Sequence, residues 1–151
     1  MKILVANLGS TSFKYRLFDL PETAGEEGGL ELARGGVERI GATESRVYAT
    51  AGATVLETVT SVPDHAVALE AALEQLTSSG GPLTSASEVA AVGFKAVHGG
   101  RAGGVTRVTP DVLAAMEEMA EVAPAHNPPY VRAMRQVATK LPSVPLVAAF
   151  E

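Results

Sequence analysis

Ile3-Leu4-Val5-Ala6-Asn7-Leu8-Gly9-Ser10-Thr11-Ser12-Phe13-Lys14-Tyr15-Arg16-Leu17-Phe18-Asp19-Leu20 joins a short apolar run to an alternating one through small hydroxyl residues. That pattern is a β-hairpin with an unusually polar turn. Pro21 to Gly29, with its glycines and glutamates, is an exposed loop. Three further strand-like pieces, Leu30–Ile40, Arg46–Thr50 and Thr54–Thr60, are punctuated by Gly41 and Gly52 and continue the hairpin as a meander. The period changes at Ser61-Val62-Pro63-Asp64. With Ser61 as cap, Pro63 in the first turn and Asp64 at the positive end, a helix is predicted to about Thr77, burying Ala66, Leu69, Leu73 and Leu76. Ser85-x-x-Glu88 resembles a capping box on a short turn, followed by a buried strand over Val89–Val97. Thr109-Pro110-Asp111 opens a second helix to about Glu121. Asn127-Pro128-Pro129, with Asn127 as cap, opens a third that ends near Lys140. Pro145–Phe150 is a last buried strand with Glu151 at its tip. Strands first, then strands alternating with helices, predict a mixed α/β sheet flanked by helices.

Composition narrows the function. With 12 Lys+Arg against 17 Asp+Glu the net charge is −5, and no basic tract exists to displace counterions from nucleic acid. The absence of cysteine removes disulfides, thiol catalysis and thiolate metal sites. No apolar run approaches the roughly 20 residues that span a bilayer, and the first residues are too short an apolar run for a signal peptide. The expectation is a soluble cytoplasmic protein of one domain, without nucleic-acid or membrane partners. Aromatic residues are only 5% of the chain, so its core is expected to be aliphatic.

In mixed sheets of this kind ligands bind beyond the carboxyl ends of the strands. Four polar features fall there. The loop Asn7–Lys14 offers an amide, three hydroxyls and an ammonium, groups that hold phosphate oxygens directly or through Mg²⁺. It is neither a Walker loop nor a dinucleotide loop, and an ordinary hairpin turn explains the same composition. His98-Gly99-Gly100-Arg101 could bring backbone N–H groups and a cation to an anion, or be a flexible surface loop. His126-Asn127 sits at a helix start, where anions are welcome. Glu151 ends a strand, where a carboxylate could bind Mg²⁺ or orient a nucleophile, or be solvated without a role. Lys95, inside an apolar strand, must snorkel, pair or face a polar cleft. A histidine metal site is not expected: no pair has ligand spacing, and His65 falls at a predicted exposed helix start.

Read together, these segments resemble the acetate kinase family, which includes propionate and butyrate kinases. Residues 1–15 are similar to its opening strand and N-x-G-S-[ST]-S-x-K loop. Gly93-Phe94-Lys95-Ala96-Val97-His98-Gly99-Gly100 resembles its G-H-R-x-V-H-G-G segment, and Ala123-Pro124-Ala125-His126-Asn127-Pro128-Pro129 its A-P-L-H-N-P-P segment. Val147–Glu151 falls where the family has a strand ending F-D. The resemblance implies the actin/Hsp70/sugar-kinase (ribonuclease H-like) fold and reversible, Mg²⁺-dependent transfer of the ATP γ-phosphoryl group to a short carboxylate, giving an acyl phosphate. Residues 1–151 would be the N-terminal domain of a two-domain protein, homodimeric when complete. The second domain would carry the adenosine pocket, so these residues alone are expected to be inactive.

By position, the resemblance implies Asn7 at the Mg²⁺ site, Ser10 and Ser12 near the phosphates, and Lys14 on the ATP phosphates. It places Lys95 on substrate and reacting phosphoryl, Val97 in the wall of the acyl pocket, and His126 near the transferring group. Glu151 matches the catalytic carboxylate. Because a carboxylate acceptor is already ionised at pH 7, Glu151 is expected to hold metal or metal-bound water. Lys95 stands where the family has arginine, Phe94 where it has histidine, and Glu151 where it has aspartate. A non-catalytic nucleotide-binding or assembly module is the alternative reading.

Overall fold

β1 (Lys2–Leu8) returns through a tight turn as β2 (Ser12–Asp19), with Leu8 opposite Phe13 and Lys2 opposite Asp19. The computed structural model describes residues 1–23, 25–96 and 98–150. The meander continues through β3 (Leu30–Glu38), β4 (Ser45–Ala51) and β5 (Thr54–Thr60), each antiparallel to its predecessor. On the other side of β1, β6 (Val89–Ala96) and β8 (Leu146–Phe150) add in parallel. The short edge strand β7 (Val105–Arg107) closes the order β5-β4-β3-β2-β1-β6-β8-β7. A mixed sheet is therefore what the strand-then-alternation pattern produces. β7 has too few residues to show a period, and the sequence did not reveal it.

Alternation along the strands decides which face is covered. Leu4, Ala6 and Leu8 of β1, Phe13, Tyr15 and Leu17 of β2, and Val92, Phe94 and Ala96 of β6 are buried in one aliphatic core. That core lies beneath the helices α1 (His65–Thr77), α2 (Pro110–Glu118) and α3 (Asn127–Lys140). The intervening residues point the other way: Val5 is 43% exposed and Val55 69%, so the second face is bare over these residues. Gly35 shows how closely the meander packs. A Cβ there would stand 2.2 Å from the Tyr48 carbonyl oxygen and 2.6 Å from the Tyr15 hydroxyl. That hydroxyl has no hydrogen-bond partner among the described residues, and burial, followed by the neighbouring Tyr48, pushes its pKa well above the usual tyrosine range.

Two helix starts, those of α1 and α3, differ from expectation. Asp64, not Ser61, caps α1, accepting from the Val67 N–H at 2.9 Å. The chain ahead of it stays extended because the Val62 carbonyl accepts the Gly41 N–H at 2.8 Å. His65 is buried, not exposed, at 8%. At α3 the cap position is His126, which makes no side-chain cap, and Asn127 is wholly buried and bonded elsewhere. The buried stripe of α1 runs through Ala66, Ala68, Leu69, Ala72 and Leu76, with Leu73 only half-buried. α2 ends at Glu118, short of Glu121, where the Ala120, Val122 and Ala123 N–H groups turn back onto Glu117 and Met119.

The Ser85–Glu88 box forms as expected, on a single 3-10 turn, Ala86–Glu88. Glu88 Oε2 accepts from the Thr84 and Ser85 N–H groups at 2.6 and 3.1 Å, and Oε1 accepts from Lys2 Nζ at 2.7 Å. The Lys2 ammonium, then the two backbone donors, hold the Glu88 carboxyl at about 2. Its folded pKa thus lies below the unfolded value, so its stabilising contribution is complete above about pH 4.5 and is lost as pH falls towards 2. Glu88→Gln is accordingly expected to flatten the acid limb of a stability-versus-pH curve between those values. An unchanged limb would contradict this.

Candidate functional site

The carboxyl ends of β1 and β6 and the start of β2 meet at one end of the sheet. Asn7 and Lys14 are directly opposed across β1 and β2. In the parallel β1/β6 register Ala6 is opposite Phe94, so Lys95 flanks Asn7 from the other side. All three side chains are exposed on the bare face. Three adjacent strands therefore present lysine, asparagine and lysine in a row. With Val5 and Arg16 they line a shallow cavity of about 330 Å³. This resolves the problem of Lys95 in an apolar run: its neighbours Phe94 and Ala96 face the core while Lys95 faces the cavity.

The charges on the bare face divide into two regions. On the meander side Arg46 is paired with Glu57 at 2.9 Å and Glu38 at 3.4 Å and lies 4.2 Å from the Tyr48 ring centre. On the β1 side Arg16 has only a 3.7 Å approach from Glu31, and no carboxylate among the described residues pairs with Lys14. The cavity is thus a cationic region on a chain whose net charge is −5, suited to a polyanion. Arg16 was missed in the sequence, although its signal was present. In a strand, residues 14 and 16 share a face.

The turn between β1 and β2 is a tight hairpin in which the Gly9 N–H donates to the Ser12 carbonyl at 2.9 Å. It is fixed from outside as well. The Ile40 N–H donates to the Thr11 carbonyl at 2.9 Å, and His65 Nε2 lies 2.8 Å from the Gly9 carbonyl oxygen and 3.3 Å from that of Ser12. Ser10 does not open into the cavity of Lys14 and Lys95. It lines a separate cleft of about 130 Å³ with His65, Pro129 and Arg132, the last also unforeseen in the sequence. Ser12 is half-buried against Gly9.

Asn127 organises the neighbouring loops. Its Nδ2 donates to the His98 and Met116 carbonyls, each at 2.8 Å, binding the loop after β6 to the end of α2. Gly99 lets that loop approach closely: a Cβ there would lie 2.1 Å from the Ala102 carbonyl oxygen. His126 is exposed, with its ring 6.2 Å from that of Tyr130. The helix start beside it supplies few donors to an anion, because Pro128 and Pro129 have no N–H and the Asn127 N–H is spent on the Ala123 carbonyl. Arg101 is held by Glu118 at 2.5 Å. The structure therefore joins Asn7, Lys14 and Lys95, sets Ser10 in the adjoining cleft, and leaves His126 and Arg101 outside the lining of either. Val97 and Glu151 lie outside the described residues.

Whether these residues fit Mg²⁺ depends on the donor set. No group of three or more metal-ligating side chains occurs among the described residues. An asparagine oxygen and serine hydroxyls are hard, neutral donors. They suit an ion that keeps much of its shell from water and phosphate, and they do not make a protein cage.

Among the described residues the eight-stranded mixed sheet, with its polar loops at the carboxyl ends of parallel strands, has the sugar-kinase/actin architecture. The crystal structure of the Porphyromonas gingivalis acetate kinase superposes with a TM-score of 0.88 at 34% identity, covering 99% of this chain and 37% of that one. A propionate kinase from Francisella tularensis superposes with a TM-score of 0.80 at 25% identity, over 99% of this chain and 36% of that one. The chain belongs to the acetokinase family, whose profile matches residues 2–151. Among curated relatives, the acetate kinase of Bacillus anthracis is 38% identical over 152 residues, 99% of this chain and 36% of its own length. That of a Geobacillus species is 38% identical with the same coverage. The chain thus spans about a third of the length of the curated relatives it matches. No helix among the described residues is long and apolar enough to cross a membrane.

Proposed function

We propose that this chain is the N-terminal domain of a carboxylate kinase, which transfers the ATP γ-phosphoryl group reversibly to a short carboxylate such as acetate. The observation that carries the reading is the Lys14–Asn7–Lys95 row on the bare sheet face, in a chain of the acetokinase family. In the reaction a carboxylate oxygen attacks the γ-phosphorus, the bond from that phosphorus to the bridging oxygen breaks, and ADP leaves with the electron pair. The acceptor is already an anion at pH 7, so the chemistry needs alignment and charge neutralisation more than proton removal.

Lys14 and Lys95 supply that charge from opposite sides of Asn7. Lys14 neutralises the polyphosphate, and Lys95 holds the acceptor carboxylate and the transferring group. Lysine acts here as a point charge, without the bidentate fork of an arginine. Ser10 and Ser12 donate hydroxyl hydrogen bonds to phosphate oxygens at the turn. His126 steadies the transferring group, and Val97 contributes to the acyl wall. Mg²⁺ would be held by Asn7 and Glu151 through its water shell, supplying charge neutralisation on the phosphates.

The complete protein would add a second domain with the adenosine pocket, work as a cytoplasmic homodimer, and bind neither nucleic acid nor membranes. The test is acyl phosphate formation by the complete protein with Mg-ATP and acetate, propionate or butyrate, trapped as the hydroxamate. Product with at least one acid is expected. None with any acid would overturn the reading in favour of a non-catalytic nucleotide-binding or assembly module. Residues 1–151 alone are expected to give no ATP-dependent acyl phosphate, and detectable synthesis would show that one wall of the cleft suffices.

A further inference from the structure

His65 has no place in the chemistry above, yet it is a buried imidazole directed at the turn that the proposed reaction needs. It opens α1, is 8% exposed, and brings Nε2 to 2.8 Å from the Gly9 carbonyl oxygen and 3.3 Å from that of Ser12. Both oxygens are acceptors only, so Nε2 carries the hydrogen and donates to them. Gly9 and Ser12 are the two ends of the hairpin, and Thr11 between them is held by the Ile40 N–H at 2.9 Å. Three of the four carbonyls from Gly9 to Ser12 therefore accept from elsewhere in the domain, two of them from a single side chain.

We infer that His65 is a positioning residue for the phosphate-binding turn: it fixes the Gly9 and Ser12 carbonyls so that Ser10, Ser12 and the adjoining Asn7 and Lys14 are set for MgATP before it arrives. The inference rests on the proposed kinase reading for its functional consequence.

The physical reason lies in the composition of the turn. Small hydroxyl residues next to glycine pack little and stiffen the backbone little, so without an external tie the turn samples conformations that cannot bind phosphate. A ligand meeting a partly populated competent state binds more weakly by that population. Asp64 caps the same helix through the Val67 N–H at 2.9 Å, which anchors the imidazole on a fixed element. The tie thus runs from α1 to the turn, through the imidazole and the Gly9 and Ser12 carbonyls.

The experiment compares His65→Phe, which keeps a ring and removes the donor, with His65→Gln, whose amide can place a donor near the Nε2 position. In the complete protein, His65→Phe is expected to raise KM for MgATP by about five- to ten-fold, the scale of one lost hydrogen-bonding group. KM for the carboxylate and kcat should stay within about two-fold, the shared pocket and chemistry being intact. His65→Gln should recover most of the wild-type KM. A merely structural role would lower the amount of active protein, hence apparent kcat, and leave KM unchanged; that outcome overturns the inference. So does a His65→Gln variant as impaired in KM as His65→Phe.

Amide hydrogen exchange of the peptide spanning Gly9–Phe13 provides a readout independent of turnover. It should accelerate in His65→Phe, with β4 and β5 unchanged, and return towards wild type in His65→Gln. If the wild-type protein makes no acyl phosphate while this exchange pattern holds, the kinase reading fails and the positioning of the turn stands. Uniform exchange across variants overturns the positioning. Should His65→Phe not fold, His65→Ala carries the same comparison.

Discussion

Replacing Lys14 by methionine in the complete protein is expected to lower kcat/KM for acyl phosphate formation by about 10²–10³, the usual loss when a preorganised group facing developing transition-state charge is removed. Methionine keeps most of the aliphatic stem, so packing on the bare face is preserved while the ammonium is lost. Lys14 has no paired carboxylate among the described residues, and its effect on a bound anion is not diluted by an internal partner. Arg16 provides the control. It shares the cavity, but it is opposite Val5 and not Asn7, two residues further from the carboxyl end of β1. At about 3.3 Å per residue that is some 7 Å away, and Arg16→Met is expected to cost less than about five-fold. Steady-state kinetics with MgATP as the varied substrate check both. Equal effects at the two positions would show that the cavity contributes a diffuse field and no specific phosphate contact.

The second large effect is on stability. Asn127→Leu is expected to destabilise the fold by about 1–3 kcal/mol, because it removes two hydrogen bonds to carbonyls at about 0.5–1.5 kcal/mol each. Those carbonyls belong to His98 and Met116, and Asn127 is wholly buried between them. In a domain of this size such a loss lowers Tm by about 3–9 °C. Asn127→Asp should be no better, since a carboxylate would face two carbonyl oxygens with no hydrogen to donate. Thermal unfolding followed by circular dichroism measures the loss. A change under about 0.5 kcal/mol, the ordinary scatter of a surface substitution, would contradict the role given to this amide.

Asn127 also shows where sequence reading reaches its limit. Asn-Pro-Pro has the local form of a helix cap, and α3 does begin there. Nothing local reveals that the side chain is claimed by carbonyls 29 and 11 residues away, a tertiary demand that outranks capping. His65 was misplaced for the same reason. Ser61, Pro63 and Asp64 ahead of it suggest a helix start, and helix starts are usually exposed, but this one sits against the hairpin turn.

Longer patterns fared better. The meander, the three helices and the parallel strands followed from alternation and spacing, because each extends over several residues. β7, with three residues, carried no such signal. At the site, period two along β2 puts Lys14 and Arg16 on one face, a signal that went unused in the sequence, and that they share a cavity with Lys95 required the parallel register of β1 and β6. No local pattern shows register between strands so far apart in the chain.

If the row Lys14–Asn7–Lys95 receives the ATP phosphates, the structure of the complete protein with ADP, Mg²⁺ and acetate bound shows it. The expected result places phosphate oxygens within hydrogen-bond distance of Lys14 Nζ, over the bare face, with the acetate carboxylate towards Lys95. Phosphates seated instead against Arg101 and His126, with Lys14 and Lys95 remote from them, would contradict it.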